Sequence, residues 1–363
     1  MKIGIMGTRG IPNNYGGFEQ FAQTISLGLF RQGHEVYVYN SSHHPYKGKD
    51  WNGVQIIHCK DWEQKLGTFG QFFYDLNCIR DARKRNFDVL FHFGYSSDSF
   101  WWRRWPKKTV NIVNMDGLEW KRTKYNWLTR KFLKWAESLA AKKADVLVAD
   151  SLAIQQHILD KYNKTSNFIP YGAVIFANPH AGGLSKFQLM PNKYFLVIAR
   201  MEPENNIEMI LEGFTASNQS CPLLIIGNTS NRFGKYISSR YQQSNIIFAG
   251  AVYDNELLNN LRYYSQIYFH GHSVGGTNPS LLEAMACGCT IAAHDNIFNK
   301  AVLEKEGYYF SSAADVTAII NKPNEPDRAE QFRSLNKEKI RSIYNPEKVL
   351  ASYGELIGNV CHK

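Results

Sequence analysis

The chain has 363 residues, more than one hydrophobic core ordinarily supports, so two domains of common size are expected. Its 44% hydrophobic and 20% charged residues exclude a disordered chain, and no stretch approaches the roughly 20 uninterrupted apolar residues of a membrane span. A net charge of +10 suits phosphorylated small molecules, anionic lipid or nucleic acid, and its placement along the chain narrows that choice.

In chain order, residues 2–6 form a short apolar strand with no charged-then-apolar leader before it, so cytoplasmic residence is the default expectation. A loop rich in Gly and Asn covers 7–17. Over 18–32, Phe21, Ile25, Leu27 and Leu29 lie at helical spacing, and Gly33 is suited to stop that helix. Strands follow at 36–39, 54–58, 89–93, 109–113, 146–149 and 168–169, with one long helix over 120–143. The weakly periodic segment 171–192 reads as a linker. A second alternation begins with the strand 194–199. It continues through helix 207–217, strands 223–226 and 246–248, helix 255–264, strand 267–270, helix 279–287, strand 290–293 and helix 313–320. From 346 an amphipathic helix closes the chain, with Asn345 as cap and Pro346 in its first turn.

Two successive strand–helix series imply an α/β chain of two Rossmann-like domains, each a doubly wound parallel sheet. The expected division is 1–170 and 171–345, with the helix over 346–363 packing back on the first domain. Such sheets bind ligands beyond the carboxyl ends of their strands. The six cysteines are scattered, and Cys287 and Cys289 stand one residue apart, a poor spacing for zinc; neither a metal site nor a disulfide framework is expected. Gly4, Gly7 and Gly10 do not fit the G-x-G-x-x-G spacing of a nicotinamide enzyme.

The most informative segment is HGHSVGGTNPSLLEAMACG over 270–288. Asn278 is a preferred N-cap, Pro279 is tolerated in a first turn, and Gly288 is a natural stop. Gly275, Gly276 and Thr277 just before the cap allow close backbone approach by a ligand, and amides with a helix dipole behind them suit a diphosphate. This segment resembles the donor-binding motif of the GT-B glycosyltransferases of family four. That resemblance implies two domains facing a cleft, and it implies that Glu283 holds the donor ribose. The alternative for Glu283 is a solvated helix glutamate. The family's first motif glutamate falls at Gly275, so this contact to the donor sugar is missing or made by backbone amides and Thr277 or Asn278; Pro279 and Ser280 complete the expected donor-binding set.

Other anchors support the match. ARMEPENN over 199–206 follows a strand and resembles the family's phosphate clamp. Arg200 keeps the arginine, whose planar fork suits bidentate phosphate contact, while Asn205 stands where a lysine is usual. FAGAV over 248–252, ending at Val252, resembles the strand-loop near the nucleobase, and Gly227 ends a strand facing the same side. In the first domain, Gly16 and Gly17 sit where a loop meets a helix start and would approach the diphosphate from the other side. GTRGIP (7–12), MDGLEWKR (115–122) and SVGGTN (273–278) resemble a family-four subgroup rich in rhamnosyltransferases. Asp116 and Glu119 are candidates for orienting the acceptor or for base-like help, Asp116 as a catalytic residue, against helix capping and surface pairing as the plain alternative. His92, at the end of its strand, is a catalytic candidate against a structural role.

Breaking a bond between a sugar and a diphosphate generates an anionic leaving group, so catalysis rests on stabilising that charge. No D-x-D motif is present to hold a divalent metal, and the resemblance implies metal-independent transfer with retained configuration. The nucleotide-diphosphate sugar (dTDP-, UDP- or GDP-linked) is co-substrate, no other cofactor is expected, and the acceptor would be a glycan or lipid-linked molecule in surface polysaccharide synthesis. Residues 101–143 interleave twelve cations with Trp101, Trp102, Trp105, Trp120, Trp127 and Trp135. Such a face suits an anionic bilayer and a peripheral position on the inner face of the cytoplasmic membrane, unless the tryptophans pack inward. No nucleic-acid-binding module accompanies the charge. The competing readings are another GT-B enzyme, such as a nucleotide-sugar epimerase or a phosphorylase, and a binding protein that keeps the fold without turnover.

Overall fold

Short apolar runs recur along the chain, and most become strands covered on both faces, the environment that parallel sheets require. All five residues of the run Val89–Phe93 are buried, as are all four of Leu223–Ile226. The computed structural model describes residues 1–363 except 15, 116, 123–124, 323–324 and 362–363. It divides into two units, one of Met1–Trp120, Asn126–Tyr171 and Glu347–Lys363, the other of Lys121–Tyr125 and Gly172–Pro346.

The first unit holds β1 (Lys2–Met6), β2 (Glu35–Ser41), β3 (Asp50–Trp51), β4 (Val54–Cys59), β5 (Val89–Phe93), β6 (Val110–Met115), β7 (Val146–Ala149) and β8 (Asn167–Phe168). They lie in the order β3-β4-β2-β1-β5-β6-β7-β8, parallel throughout except for the β3–β4 edge pair. The helix Gly17–Arg31 buries Phe21, Ala22, Ile25 and Leu29, a spacing that places them on one face. The closing helix Pro346–Cys361 packs on the same unit. Gly28 lets it approach, since a Cβ there would lie 2.4 Å from Leu350 Cδ2, and the Tyr353 ring stands 5.5 Å from Phe91.

The second unit holds β9 (Phe195–Ile198), β10 (Leu223–Ile226), β11 (Ile246–Gly250), β12 (Ile267–His270), β13 (Ile291–His294) and β14 (Tyr308–Phe310). All pairings are parallel, in the order β11-β10-β9-β12-β13-β14. Its core gathers Phe195, Val197, Leu223, Ile225 and Phe269 from the sheet with Ile210, Leu211 and Phe214 from the helix Ile207–Ala216. Each such side chain contributes roughly 1.5–3 kcal/mol on burial.

The expected helix over 120–143 is shorter. A single 3₁₀ turn at Glu119–Lys121 comes first, and the α-helix runs Trp127–Lys143. Asn126 sets the start, its side chain accepting from the Thr129 amide at 2.9 Å. Two further long helices, Phe69–Ala82 and Pro326–Ser342, had no place in the sequence reading. The second buries Ala329, Phe332, Asn336 and Ile340 beneath an otherwise polar surface, too narrow a stripe to stand out. Among the described residues no helix is long and apolar enough to cross a membrane.

Candidate active site

In the six-stranded sheet the strand order reverses between β9 and β12, which pair in parallel from Ile267 against Phe195. Loops leaving the two strands diverge at such a reversal and open a ligand crevice at the carboxyl ends. The chain leaving β9 is 199–206 and the chain leaving β12 is 271–278.

The two loops are stitched together through hydrogen bonds to their backbone carbonyls. Asn206 adopts a left-handed conformation (φ 49°) and donates through Nδ2 to the Gly271 carbonyl at 2.8 Å. The Ser273 amide and hydroxyl both donate to the Glu204 carbonyl, at 3.0 and 2.8 Å. Only glycine fits at 271, because a Cβ would stand 2.0 Å from the Asn205 carbonyl oxygen. Gly227, ending β10, is held equally close, with a Cβ position 2.1 Å from the Ala199 carbonyl oxygen. Asn205 itself is buried and donates through Nδ2 to the Arg200 carbonyl at 2.7 Å. It acts as a brace beneath the arginine rather than as a ligand contact, which corrects its expected place among the donor-binding residues. Arg200 is exposed at the end of this braced turn.

The glycine loop leads into the helix Pro279–Cys287 as the residues dictate. Asn278 caps it, accepting from the Ser280 amide at 2.9 Å, and Gly288 ends it in the left-handed region (φ 71°). The first-turn donors are already engaged. Pro279 has none, and the Leu281 and Leu282 amides donate to the Asn278 carbonyl at 3.0 and 3.2 Å. The donors open to an anion are therefore those of the loop ahead. Among the described residues the amides of Gly275, Gly276 and Asn278 donate to no protein acceptor, and Gly275 holds a φ of +143° that few side chains tolerate. The helix supplies its dipole behind the loop. Thr277 is buried in this turn.

Glu283, one turn along, is half-exposed and forms a short ion pair with buried Arg262. Arg262 also donates to Asn259 Oδ1 at 3.0 Å. Ser280 Oγ bonds the Tyr268 hydroxyl at 2.8 Å, so Ser280 faces the sheet as well as the loop. Val252 is half-buried on the loop after β11. Beneath the glycines, the rings of His270 and His272 stack at 4.4 Å. Burial first, then the cations Arg200 and Arg122, hold His272 uncharged, pushed down to about 3. His270 is fully buried and lowered further by burial, His272 and Arg262. The HGH string flanking a strand end could have singled these out; nothing local marks Arg262.

In the first unit the order reverses between β1 and β5. Gly16 precedes the helix Gly17–Arg31 in an extended conformation with no side-chain cap, so the first amides have no helical acceptor. His92 does not face this end. It is fully buried, bound through Nδ1 to Asp98 and through Nε2 to Asn111 Oδ1 at 3.2 Å, beneath the Trp105 ring at 4.5 Å. That environment makes it part of the core and removes it from the catalytic candidates. Asp116 lies outside the described residues, and Glu119 is half-buried in the 3₁₀ turn.

The basic, tryptophan-rich stretch splits. Trp105 is buried, and the Trp120 indole donates to Glu137 Oε2 at 2.7 Å. Trp127 and Trp135 are 64% and 47% exposed, and Lys131 sits 3.9 Å over the Trp127 ring. The apolar surface extends to residues the sequence did not suggest. Phe69 (74% exposed), Phe73, Leu66 and Phe100 are also exposed, with Phe72 linking Phe69, Phe100 and Phe132 by ring contacts of 5.4–6.3 Å.

Two families match the chain: residues 1–174 match a domain of unknown function (DUF1972), and residues 186–341 match Glycosyl transferases group 1. No curated protein matches by sequence. Among solved structures, sucrose-phosphate synthase from Thermosynechococcus elongatus superposes with a TM-score of 0.82 at 15% identity, over 99% of this chain and 98% of that one. HepE of Anabaena, solved with UDP and glucose, gives 0.73 at 14% identity, over 99% of this chain and 100% of HepE. A glycosyltransferase from Rickettsia africae gives 0.64 at 13%, over 99% and 98%. At these identities the likeness speaks for the fold, two parallel-sheet α/β domains as in GT-B glycosyltransferases.

Proposed function

We propose that this chain, a glycosyltransferase of the GT-B fold, moves a sugar from a nucleotide-diphosphate donor to a glycan or lipid-linked acceptor, with retention and without a metal. One observation carries the reading. The reversal between β9 and β12 brings a braced Arg200 and the unengaged amides of Gly275, Gly276 and Asn278 to the same end of one sheet. HepE, whose fold this chain shares, was solved with UDP and glucose, which supports a nucleotide-linked donor.

In the proposed step the bond from the anomeric carbon to the β-phosphate oxygen breaks, and that oxygen keeps the electron pair. Arg200 and the loop amides stabilise the charge as it grows, in a setting organised beforehand by the stitched loops. The acceptor hydroxyl attacks on the face the phosphate leaves, and its proton passes to a phosphate oxygen. Retention and this front-face route rest on the resemblance to family four. Absence of a metal rests on the missing D-x-D. Rhamnose from dTDP is the donor suggested by the GTRGIP, MDGLEWKR and SVGGTN strings. Glu283 retains one oxygen beyond its pair with Arg262 for the ribose hydroxyls.

The test is a thermal-shift screen of UDP-, GDP- and dTDP-sugars. Stabilisation by one donor, with slow hydrolysis that Arg200→Ala abolishes, is expected. Binding with no turnover across lipid-linked acceptors points instead to a binding protein. We also assign the helix Trp127–Lys143, with the exposed Phe69 and Phe100 joined to its Trp135 through ring contacts, to an anionic bilayer, because exposed Trp127 and Trp135 and the cations Lys131 and Lys134 share a helix whose single acidic residue, Glu137, is buried. Sedimentation with anionic but not neutral liposomes at low salt is the expected result, and no sedimentation with either removes the membrane from the proposal.

A further inference from the structure

The helix Pro279–Cys287 is buried along most of its length, and its accessible side presents only Pro279, Ser280 and Glu283, the last its single charged residue. That glutamate is paired with Arg262 of the neighbouring helix Asn255–Tyr263, and the arginine side chain is 4% exposed against 47% for the glutamate. Arg262 is fixed at its backbone, where its carbonyl accepts from the Ser265 hydroxyl at 2.8 Å and the Cys289 thiol at 3.2 Å. Its guanidinium donates through Nη1 to Asn259 Oδ1 at 3.0 Å, and through Nη2 to Ser280 Oγ at 3.4 Å and, in a short bond, to Glu283 Oε2. Ser280 and Glu283 stand three residues apart on one helix face, so the guanidinium spans the first turn. The Ser280 amide donates in turn to the cap Asn278 at 2.9 Å, which carries the chain of bonds to the end of the glycine loop.

We propose that Arg262 is a positioning residue for the donor ribose: from the buried layer it holds Glu283 through one oxygen so that the other meets a ribose hydroxyl. The inference rests on the nucleotide-diphosphate reading above, with Glu283 as the ribose contact. Stability alone does not account for the arrangement. Burial opposes the charge of Arg262, and Glu283 is the leading group that offsets it. The Arg262 Nε–H is buried with no acceptor among the described residues, a cost that a purely structural arginine would shed by full pairing. Such a pair is close to neutral as a source of stability, but it restricts both side chains to one geometry. A glutamate half in water otherwise samples several rotamers, and holding it in one before the ligand arrives removes that ordering cost from binding. Glu283 Oε1 has no protein partner among the described residues, so it is the oxygen left to accept from a hydroxyl. Glu283 touches the ligand, and Arg262 acts through it.

The experiment is isothermal titration of the full chain with UDP, GDP and dTDP and with the 3′-deoxy form of each. Wild type is compared with Arg262→Met, Arg262→Lys, Glu283→Ala and the double variant carrying Arg262→Met and Glu283→Ala. For the diphosphate that wild type binds, removing the hydroxyl should weaken affinity about 10- to 100-fold. In Arg262→Met that preference should shrink to about threefold or less, while affinity for the 3′-deoxy form changes less than about threefold. General loosening of the fold would weaken both ligands alike. Arg262→Lys should recover part of the preference. The double variant should show the same preference as Glu283→Ala alone, since Arg262 acts only through the glutamate. Far-UV circular dichroism and melting identify any variant that misfolds. Should Arg262→Met be one, Arg262→Lys carries the comparison, and a preference equal to that of wild type overturns the role. If folded Arg262→Met keeps the wild-type preference within about twofold while Glu283→Ala loses it, Arg262 is overturned and the functional reading stands. If wild type binds a diphosphate and its 3′-deoxy form equally, the ribose contact falls together with Arg262, and the diphosphate reading survives. If wild type binds none of the three diphosphates, both are overturned.

Discussion

Replacing Glu137 by Gln should destabilise the first unit by about 3 kcal/mol at neutral pH. Glu137 sits on the helix Trp127–Lys143 and is 1% exposed. It accepts four hydrogen bonds: from Trp120 Nε1 at 2.7 Å, His157 Nε2 at 3.0 Å, Lys161 Nζ at 2.7 Å and the Tyr162 hydroxyl at 2.6 Å. Burial alone would raise its carboxyl, but these donors outweigh it and hold the group at about 2, against an ordinary 4.5. A tenfold difference in proton affinity corresponds to about 1.4 kcal/mol, which yields the figure of about 3. Because the folded value is depressed, this stability is present above pH 4.5 and fades as pH falls toward 2. All eight tryptophans lie in the first unit, so intrinsic fluorescence follows that unit alone. The Glu137→Gln melt should drop by roughly 6–12 °C at pH 7. The gap from wild type should narrow between pH 4.5 and 2.5, since glutamine has nothing to protonate. Equal melting temperatures at pH 7, or a gap that persists unchanged at pH 2.5, refute the reasoning.

Other perturbations probe the second unit. Gly271→Ala sets a Cβ 2.0 Å from a backbone oxygen, which cannot yield as a side chain does; a loss of roughly 1–3 kcal/mol is expected in urea unfolding followed by circular dichroism. A variant as stable as wild type contradicts the stitched-loop account. Glu283→Ala should lower the melting temperature even without nucleotide, since it strips buried Arg262 of its carboxylate. The loss is roughly 1–3 kcal/mol because the glutamate end is half in water. Adding Arg262→Met to that variant should restore most of it, and failure to do so argues for a different role. His270 and His272 are held uncharged while the unfolded chain takes up protons near 6.5. Stability of this unit should therefore decline as pH falls below 6.5 toward 3. Urea midpoints at pH 7 and 5 should differ less in His272→Gln than in wild type, and an identical pH slope removes His272 from the account.

The strands and the cap of the donor-loop helix were legible from the residues because their causes are local. β5 and β10 are buried on both faces, so an unbroken apolar run announces them, and Asn278, Pro279 and Gly288 act within a few residues of where they stand. The resemblance of 270–288 picked out a candidate site for the same reason, since a loop and a helix start are contiguous in sequence. His92 was misread because its period marks only a strand end, while its partners Asp98 and Asn111 are recruited by packing. The helix Phe69–Ala82 went unseen, and with it the exposed Phe69 and Phe73.

What the amino-acid order determined by itself was the α/β alternation, the two-sheet architecture and the glycine loop ahead of a capped helix. Only the tertiary structure decided which donors of that loop remain open, that Asn205 is a brace, and that Arg122 stands beside Glu204. Periodicity and capping are set by neighbours along the chain. The charge around a ligand is set by whichever side chains the packed sheets bring to one end, and that information is spread over the whole fold.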